Sequence, residues 1–353
     1  MSRFISKKFK NLTPYTPGEQ PRDMVYVKLN TNESPFPPSE KAISMAAKSA
    51  EKLNLYPDPE CKELTQKIAD TVGVDPSEVL VTNGSDEILN FAFMAYCDKE
   101  HPASFPNVTY GFYSVFADLY NIPYEEIPLN KDFEIDINDY MGINKTIFIA
   151  NPNAPTGIFL SRDKIEEILK SNPDNIVVID EAYIDFGGES CVPLIHKYDN
   201  LLVTQTFSKS RSMAGARLGF GVGCKRLIED LNTIKYSTNP YNINKMTIAA
   251  GIGVLEDEAY IKDNCQTIIK NREYTTTELK KLGFEVTNSS ANFIFAKHPK
   301  VRGEEIYLKL KEAGILVRHF NKKEIYEYNR ITIGTKEQMD KLIDALKNIL
   351  EAK

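Results

Sequence analysis

Three short apolar runs, at residues 146–150, 176–180 and 201–205, constrain most strongly how this chain can fold. Their apolar residues are continuous rather than alternating, which is typical of strands buried on both faces of a parallel sheet. Runs with helical spacing lie near 161–170 and 225–236. This alternation of strand and helix predicts an α/β domain with a doubly wound, mostly parallel sheet.

The pattern changes near residue 258, and the change predicts a second, smaller domain. A long polar helix over 258–282 precedes strand-like runs at 291–296, 315–318 and 330–333, with a further helix over 303–313. Apolar residues then mark one face of a final helix: Met339, Leu342, Ile343, Leu346, Ile349 and Leu350. Strands and helices mixed in this way indicate an α+β fold.

Three units therefore account for the chain. Residues 1–38 contain six prolines, which disfavour regular helix, so this segment is predicted to be an arm or a binding loop. Residues 39–257 would form the large domain. Residues 258–353 would form the small C-terminal domain.

Charge and composition disfavour several classes of protein. The net charge is -6, which gives no electrostatic reason to expect nucleic acid or an anionic membrane as a partner. The longest apolar stretch, 246–255, is too short to span a bilayer. Five scattered cysteines without a CxxC pair suggest neither a disulfide framework nor a metal site. We therefore expect a cytoplasmic protein.

Three motifs at strand ends carry candidate chemistry. Residues 83–87 (Asn-Gly-Ser-Asp-Glu) form a turn into a helix whose free N–H groups favour an anion, although Ser and Asp are also ordinary helix caps. In 180–183 (Asp-Glu-Ala-Tyr), Asp180 could neutralise a cation, bind a metal or cap a helix. In 206–209 (Thr-Phe-Ser-Lys), desolvation would make Lys209 a nucleophile, whereas a solvated loop lysine is the alternative. Arg217 downstream suits a phosphate.

Together the three motifs match the needs of one cofactor, pyridoxal 5′-phosphate. A lysine forms an imine with its aldehyde, a carboxylate keeps its pyridine nitrogen protonated, and an anion site holds its phosphate. The sequence therefore predicts a pyridoxal-phosphate enzyme.

Seven motifs, in order along nearly the whole chain, resemble those of the fold-type-I pyridoxal-phosphate-dependent aminotransferases and, within that group, of the histidinol-phosphate aminotransferases. Beside the three motifs above, they are 29–35 (Leu-Asn-Thr-Asn-Glu-Ser-Pro), 56–58 (Tyr-Pro-Asp), 151–157 (Asn-Pro-Asn-Ala-Pro-Thr-Gly) and 330–335 (Arg-Ile-Thr-Ile-Gly-Thr). The resemblance implies the fold-type-I architecture and a homodimer. It also implies that the arm over 1–38 helps to bind substrate and that the large domain over 39–257 binds pyridoxal phosphate.

The resemblance also implies a role for each matching residue. Lys209 would carry the cofactor and move the substrate Cα proton, Asp180 would pair with the pyridine nitrogen, and Tyr183 would hydrogen-bond O3′. The other residues expected to contact the cofactor are Gly84, Ser85, Asp86, Tyr110, Asn153, Thr206, Ser208 and Arg217, with Tyr56 reaching the phosphate in the neighbouring subunit. The residues expected to contact the substrate are Tyr15, Asn32, Arg318 and Arg330, of which the last would clamp an α-carboxylate.

One position departs from the family pattern. Ala154 stands where an asparagine often donates a hydrogen bond to the cofactor O3′, and alanine has no donor. Asn153 is the adjacent amide.

The reaction implied by the resemblance is transamination between histidinol phosphate and 2-oxoglutarate, with glutamate as the other amino acid, in histidine biosynthesis. Two alternatives keep the fold and change the substrate: an aromatic amino-acid aminotransferase and a phosphothreonine decarboxylase. A regulator that binds pyridoxal phosphate without turnover is less favoured, because such a protein usually needs an appended DNA-binding module and the chain is acidic.

Overall fold

A computed structural model describes residues 2–10 and 12–351 of the chain. Residues 1, 11, 352 and 353, which fall within the predicted arm and the predicted small domain, lie outside the described residues. In the described part, none of the helices is long and apolar enough to cross a membrane.

Ten α-helices and thirteen β-strands are found in the described residues. The helices, α1 to α10 in chain order, are Glu40–Ser49, Lys62–Val72, Ser85–Tyr96, Phe112–Tyr120, Arg162–Ser171, Lys225–Thr238, Lys245–Leu255, Glu258–Lys281, Gly303–Glu312 and Lys336–Glu351. The strands, β1 to β13, are Val27–Lys28, Val79–Thr82, Ala103–Pro106, Tyr124–Ile127, Thr146–Ala150, Val177–Asp180, Leu201–Thr206, Gly219–Gly223, Glu285–Val286, Phe293–Lys297, Ile315–Leu316, Arg318–His319 and Asn329–Thr332.

Seven strands form the central sheet, in the order β2-β8-β7-β6-β5-β3-β4. The strands from β7 to β4 pair in parallel, whereas β8 runs antiparallel to both β2 and β7. The three apolar runs of the sequence are β5, β6 and β7, and every residue of these strands is buried. The predicted α/β fold with a mostly parallel sheet is confirmed.

Successive residues of these central strands face two different cores. Ile147 and Ile149 of β5 pack in the core that contains α2, α5 and α7, whereas Phe148 packs in the core that contains α3, α4 and α6. Because helices cover both faces of the sheet, an apolar side chain is needed at nearly every position. This explains why the runs are continuous.

Glycines in β8 allow the start of α3 to approach the sheet closely. A Cβ atom at Gly219 would lie 2.4 Å from the backbone nitrogen of Ser85, and one at Gly221 would lie 2.8 Å from the Ile88 side chain. Gly219 also pairs with Thr206, the last residue of β7. The N-terminus of α3 is therefore held beside the carboxyl end of β7.

The C-terminal part of the chain forms a four-stranded antiparallel sheet, in the order β12-β13-β10-β9. The predicted run 315–318 is divided: β11 pairs in parallel with β1, whereas Arg318 of β12 pairs with Arg330 of β13. Val317, between the two strands, is buried in the C-terminal core together with Leu29. The end of the segment predicted as an arm is thus built into this second core.

Candidate active site

Two adjoining cavities lie where the loops after β6 and β7 meet the N-terminal segment and the C-terminal sheet. The inner cavity, of about 330 Å³, is lined by residues that include Ser85, Asp86, Asp180, Thr206, Ser208 and Arg217. The outer cavity, of about 510 Å³, is lined by residues that include Tyr15, Asn32, Arg318 and Arg330. Both cavities share Tyr110, Ala154, Tyr183 and Lys209. The structure therefore brings most of the predicted site residues to one place.

Asp180 is the last residue of β6 and lies at the base of the inner cavity. Its Oδ2 atom accepts a hydrogen bond from the Tyr113 hydroxyl at 3.3 Å. Its Oδ1 atom is buried and has no hydrogen-bond partner in the described part of the protein. Burial, reinforced by the negative charge of Asp86, raises the pKa of Asp180 to about 7. A cation beside Oδ1 would relieve this desolvation and favour the carboxylate.

Lys209 follows β7 and is placed between the two cavities. Its Nζ atom donates a hydrogen bond to the Thr31 carbonyl at 3.3 Å and lies 5.8 Å from the centre of the Tyr183 ring. Burial, together with the positive charge of Arg330, lowers the pKa of Lys209 to about 8. A substantial share of the amine is therefore neutral near pH 7.5, which is the form that attacks a carbonyl carbon.

The groups suited to a phosphate gather around the start of α3. Gly84 has a φ of +78°, and a Cβ atom there would lie 2.7 Å from Nη2 of Arg217. Arg217 Nη2 donates to Asp86 Oδ2 at 3.1 Å, and the Tyr110 hydroxyl donates to Asp86 Oδ1 at 2.7 Å. This end of the inner cavity combines a helix N-terminus with a guanidinium, as anion sites in proteins do.

Two hydroxyls complete this end of the inner cavity. The Thr206 hydroxyl donates to the Ser208 hydroxyl at 2.9 Å and accepts from the Ser208 backbone N–H at 3.1 Å. Both residues are buried in the turn that precedes Lys209. The same turn therefore presents hydroxyls toward the α3 end and the lysine toward the outer cavity.

The Tyr183 hydroxyl is fixed by a chain of buried hydrogen bonds. Asn32 Nδ2 donates to it at 3.0 Å, and the Asn32 backbone N–H donates to the Thr332 hydroxyl at 2.9 Å. The Thr332 hydroxyl in turn donates to Asn32 Oδ1 at 3.1 Å. Asn32 adopts a φ of +56°, a conformation that asparagine tolerates better than most residues. Asn32 and Tyr183 are thereby held together in the lining of the outer cavity.

Arg330 presents a positive charge to the outer cavity. Its Nη2 atom donates to the Asn30 carbonyl at 3.0 Å, whereas its buried Nε atom has no partner among the described residues. Among the residues that the structure describes, no carboxylate lies within ion-pair distance of Arg330. Burial lowers the pKa of this guanidinium. A partly buried cation without a carboxylate partner there suits a negatively charged ligand.

Arg318 holds the N-terminal segment over the outer cavity. Its two terminal nitrogens donate to the Thr16 carbonyl at 3.0 Å and to the Pro17 carbonyl at 3.1 Å. The preceding Tyr15 stacks on Phe112 with ring centres 4.3 Å apart. Arg318 lines the outer cavity, and it also fastens the segment that covers it.

Three predicted cofactor residues, Gly84, Asn153 and Tyr56, line neither cavity, although Gly84 directly precedes the cavity-lining Ser85. The Asn153 amide is used structurally: it donates to the Val108 carbonyl and the Thr156 hydroxyl, and it accepts from the Thr109 hydroxyl. We therefore correct the prediction that its side chain serves the cofactor. Tyr56 is 78% exposed and stacks on Tyr241 with ring centres 4.6 Å apart. It lies outside the cavities of its own chain.

Sequence reasoning missed Tyr113, which touches Asp180. This residue belongs to the aromatic stretch 105–116, in which Phe105 and Phe116 pack in a hydrophobic core. Tyr113 is itself fully buried. Tyr113 differs from the other buried aromatic residues because its hydroxyl donates to the Asp180 carboxylate. The spacing of residues in the sequence does not reveal this contact.

The residues of the inner cavity fit pyridoxal 5′-phosphate. The unpartnered Oδ1 atom of Asp180 suits a protonated ring nitrogen, and Lys209 provides an amine of lowered pKa. The α3 end of the cavity supplies the anion site. In the described part of the chain, no cluster of His, Cys, Asp and Glu side chains could hold a metal ion.

The chain is similar in sequence to proteins of one enzyme family. The sequence profile of the family "Aminotransferase class I and II" matches residues 25–346. The chain is 51% identical over 353 residues to a histidinol-phosphate aminotransferase of Brachyspira hyodysenteriae, an alignment that covers 99% of this chain and 100% of that protein.

Solved structures show the same architecture. The histidinol-phosphate aminotransferase of Sinorhizobium meliloti, in complex with pyridoxal-5′-phosphate, matches with a TM-score of 0.86 and 21% identity over 93% of this chain and 92% of that one. The L-threonine-O-3-phosphate decarboxylase of Porphyromonas gingivalis matches with a TM-score of 0.81 and 25% identity over 92% and 99% of the two chains. The fold alone therefore does not separate transamination from decarboxylation.

Proposed function

Since the chain belongs to the class I and II aminotransferases, and within them to the histidinol-phosphate aminotransferases, we propose that it transfers an amino group between histidinol phosphate and 2-oxoglutarate. The observation that carries this proposal is the 51% identity over the full length of a histidinol-phosphate aminotransferase. The alternative substrates, aromatic amino acids and phosphothreonine, have no comparable support.

Pyridoxal 5′-phosphate, when bound, supplies an electron sink for the negative charge left when the substrate loses its Cα proton. Lys209 would hold the cofactor through its aldehyde and then accept and return that proton. Its lowered pKa supports the role, because the neutral amine is the form that takes up a proton. Asp180 would keep the proton on the ring nitrogen, and its unpartnered Oδ1 atom supports this role.

The remaining contacts would orient the cofactor. Ser85, Thr206, Ser208 and Arg217, with the backbone at Gly84, would bind the phosphate at the start of α3. Tyr110 lines both cavities and would cover the ring, while its hydroxyl remains bonded to Asp86. Tyr183, fixed by Asn32, would hydrogen-bond O3′.

The outer cavity would bind the anionic part of either substrate. Histidinol phosphate carries a phosphate and no α-carboxylate, whereas glutamate and 2-oxoglutarate carry two carboxylates. Arg330 and Arg318 provide two cations at this cavity, and Tyr15 and Asn32 are neutral groups beside them. Because the guanidinium of Arg330 has no carboxylate partner in the described part of the chain, it is available to both kinds of anion.

A homodimer is the assembly that we propose, with Tyr56 directed at the cofactor phosphate of the neighbouring subunit. Support comes from a patch of exposed apolar side chains around it: Leu53 at 54%, Leu55 at 58% and Tyr241 at 44%. Contiguous apolar residues on a surface mark interaction sites. We further propose a cytoplasmic location and the division into a large domain over 39–257 and a small domain over 258–353.

A comparison of substrates tests the proposed reaction. Histidinol phosphate, tyrosine, phenylalanine and phosphothreonine would each be assayed with 2-oxoglutarate, and the products would be identified. We expect glutamate from histidinol phosphate, with a kcat/KM at least about 10- to 100-fold above those of the unphosphorylated amino acids, the factor that one charge-assisted hydrogen bond supplies. A preference for tyrosine, or release of carbon dioxide from phosphothreonine, would contradict the proposal in favour of the corresponding alternative.

A further inference from the structure

Asp185 and Arg211, which have no role in the function proposed above, form a charged pair between two active-site loops. Asp185 lies in the turn that follows Tyr183, and Arg211 lies two residues after Lys209. Arg211 Nη1 is 3.2 Å from Asp185 Oδ2, and the Ser210 hydroxyl donates to the same oxygen. One carboxylate thus binds both residues that directly follow the lysine.

The arginine of the pair is buried, whereas the Asp185 side chain is 35% exposed. The Arg211 side chain is 7% exposed, and its guanidinium carbon lies 5.0 Å from the centre of the Phe207 ring. Arg211 Nη1 also donates to the Thr206 carbonyl at 3.3 Å. Asp185 is the only carboxylate paired with Arg211 in the described part of the chain. A buried guanidinium that loses its one carboxylate partner remains as an uncompensated charge, so this pair constrains the loop strongly.

The side chain of Lys209 has few constraints of its own. Among the described residues, its side chain makes a single hydrogen bond, to the Thr31 carbonyl at 3.3 Å. The charges that shift its pKa most are those of Arg330, Asp86 and Glu33, not the Asp185–Arg211 pair. The pair can therefore affect Lys209 mainly through position, by fixing the backbone from which the lysine side chain extends.

We propose that Asp185, acting through Arg211 and Ser210, is a positioning residue that holds the Lys209 amine within bonding distance of the cofactor aldehyde. The proposal rests on the function proposed above, in which Lys209 and the aldehyde carbon join through a C=N bond and release one water. Asp185 itself lines neither of the two cavities. Its effect is to keep the lysine loop in register with the loop that carries Asp180 and Tyr183.

Two forms of the cofactor separate this role from a general structural one. Pyridoxal 5′-phosphate bonds to the lysine, whereas pyridoxamine 5′-phosphate has an amine in place of the aldehyde and cannot, although ring and phosphate are the same. Asp185→Asn keeps the size of the side chain and an acceptor for Ser210, but removes the charge that pairs with Arg211. In the full-length protein, measured by equilibrium dialysis, we expect about 10-fold weaker binding of the aldehyde form. The affinity for pyridoxamine 5′-phosphate should change less than about twofold, since only a displacement of the lysine is involved.

Control variants make the experiment decisive. Glu189→Gln breaks the exposed pair with Arg162, at 3.5 Å, and should leave both affinities unchanged. If Asp185→Asn does not fold because Arg211 is left unpaired, the double variant Asp185→Asn with Arg211→Met removes both charges and should show the same selective loss. Equal weakening of the two cofactor forms, or no weakening, in the folded variant would overturn the proposal.

Lys209→Ala distinguishes failure of this proposal from failure of the proposed function. It should remove the preference for the aldehyde form altogether. If Lys209→Ala leaves that preference intact, the role of Lys209 is wrong, and the proposed function fails with it. If Lys209→Ala removes the preference and the Asp185 variants do not alter it, only the positioning role fails.

Discussion

Asp180→Asn is expected to stabilise the cofactor-free protein at neutral pH while it abolishes most of the catalysis. Asp180 is 5% exposed, and its Oδ1 atom has no partner in the described part of the chain. Asparagine has nearly the same shape, can still accept a hydrogen bond from Tyr113, and carries no charge at any pH. The substitution therefore isolates the cost of holding a carboxylate in this position.

The sign of the effect follows from the direction of the pKa shift. The pKa of Asp180 is raised from its usual 3.8 to about 7 in the folded protein, chiefly by burial. The folded state thus holds the proton more tightly than the unfolded state does. The resulting stability is fully present below pH 3.8 and is lost as the pH rises through about 7. Between pH 5 and pH 8, these two pKa values correspond to a loss of about 2–3 kcal/mol in the free energy of unfolding.

Urea denaturation of the cofactor-free wild type and of Asp180→Asn, each at pH 5 and pH 8, measures this loss. The wild type should lose about 2–3 kcal/mol more than the variant between the two pH values. Any cost of burying the asparagine amide is the same at both pH values, so it cancels in this comparison. Equal losses in the two proteins would refute the raised pKa of Asp180.

The same variant should bind the cofactor but turn over at least about 100-fold more slowly, because a neutral amide cannot hold the proton on the ring nitrogen. Steady-state rates at saturating cofactor would measure this. Near-normal turnover would assign the role of Asp180 to another group.

Three further substitutions test individual contacts. Tyr56→Phe should weaken cofactor binding if its hydroxyl reaches the neighbouring subunit, and purified heterodimers with Lys209→Ala, which contain one intact site, should then regain activity; no recovery would show that Tyr56 serves its own chain. Ala154→Asn should lower the pKa seen in the spectral titration of the bound cofactor, since the added amide can donate to O3′; an unchanged titration would mean that another donor is already present. Arg318→Leu should raise the KM for histidinol phosphate by at least about 10-fold, with a much smaller effect on phenylalanine. Equal effects on both substrates would show that Arg318 acts only by fastening Thr16 and Pro17.

The central architecture could be predicted from the sequence because its signal is local. The continuous apolar runs that became β5, β6 and β7 require helices on both faces of the sheet, and parallel strands end at the same edge. Asp180 and Lys209 each follow one of these strands, so their proximity follows from topology alone. The predicted α/β fold, which is confirmed, therefore already placed Asp180 and Lys209 near each other.

Elements with weak local signals could not be predicted in the same way. Strand β4 contains two glutamates, and its first three residues are exposed, so neither continuity nor a clear alternation marks it. The run 315–318 has the composition of one strand, but Val317 turns into the core, and the residues on either side pair with different sheets. In both β4 and the run 315–318, the strand structure depends on pairing with residues that are distant in the sequence.

Side-chain partnerships were the least predictable part of the site. Asn153 appeared to be free for the cofactor, yet its amide is saturated by backbone and hydroxyl groups. By contrast, Asp180 and Arg330 each keep a buried polar atom without a partner in the described part of the chain. Such groups cost stability unless a ligand completes them. The charge of each is opposite to that of one group it would meet: a protonated ring nitrogen for Asp180, and a phosphate or carboxylate for Arg330. The unpartnered atoms of these two cavity-lining side chains therefore support the proposed positions of the cofactor ring and the substrate anion.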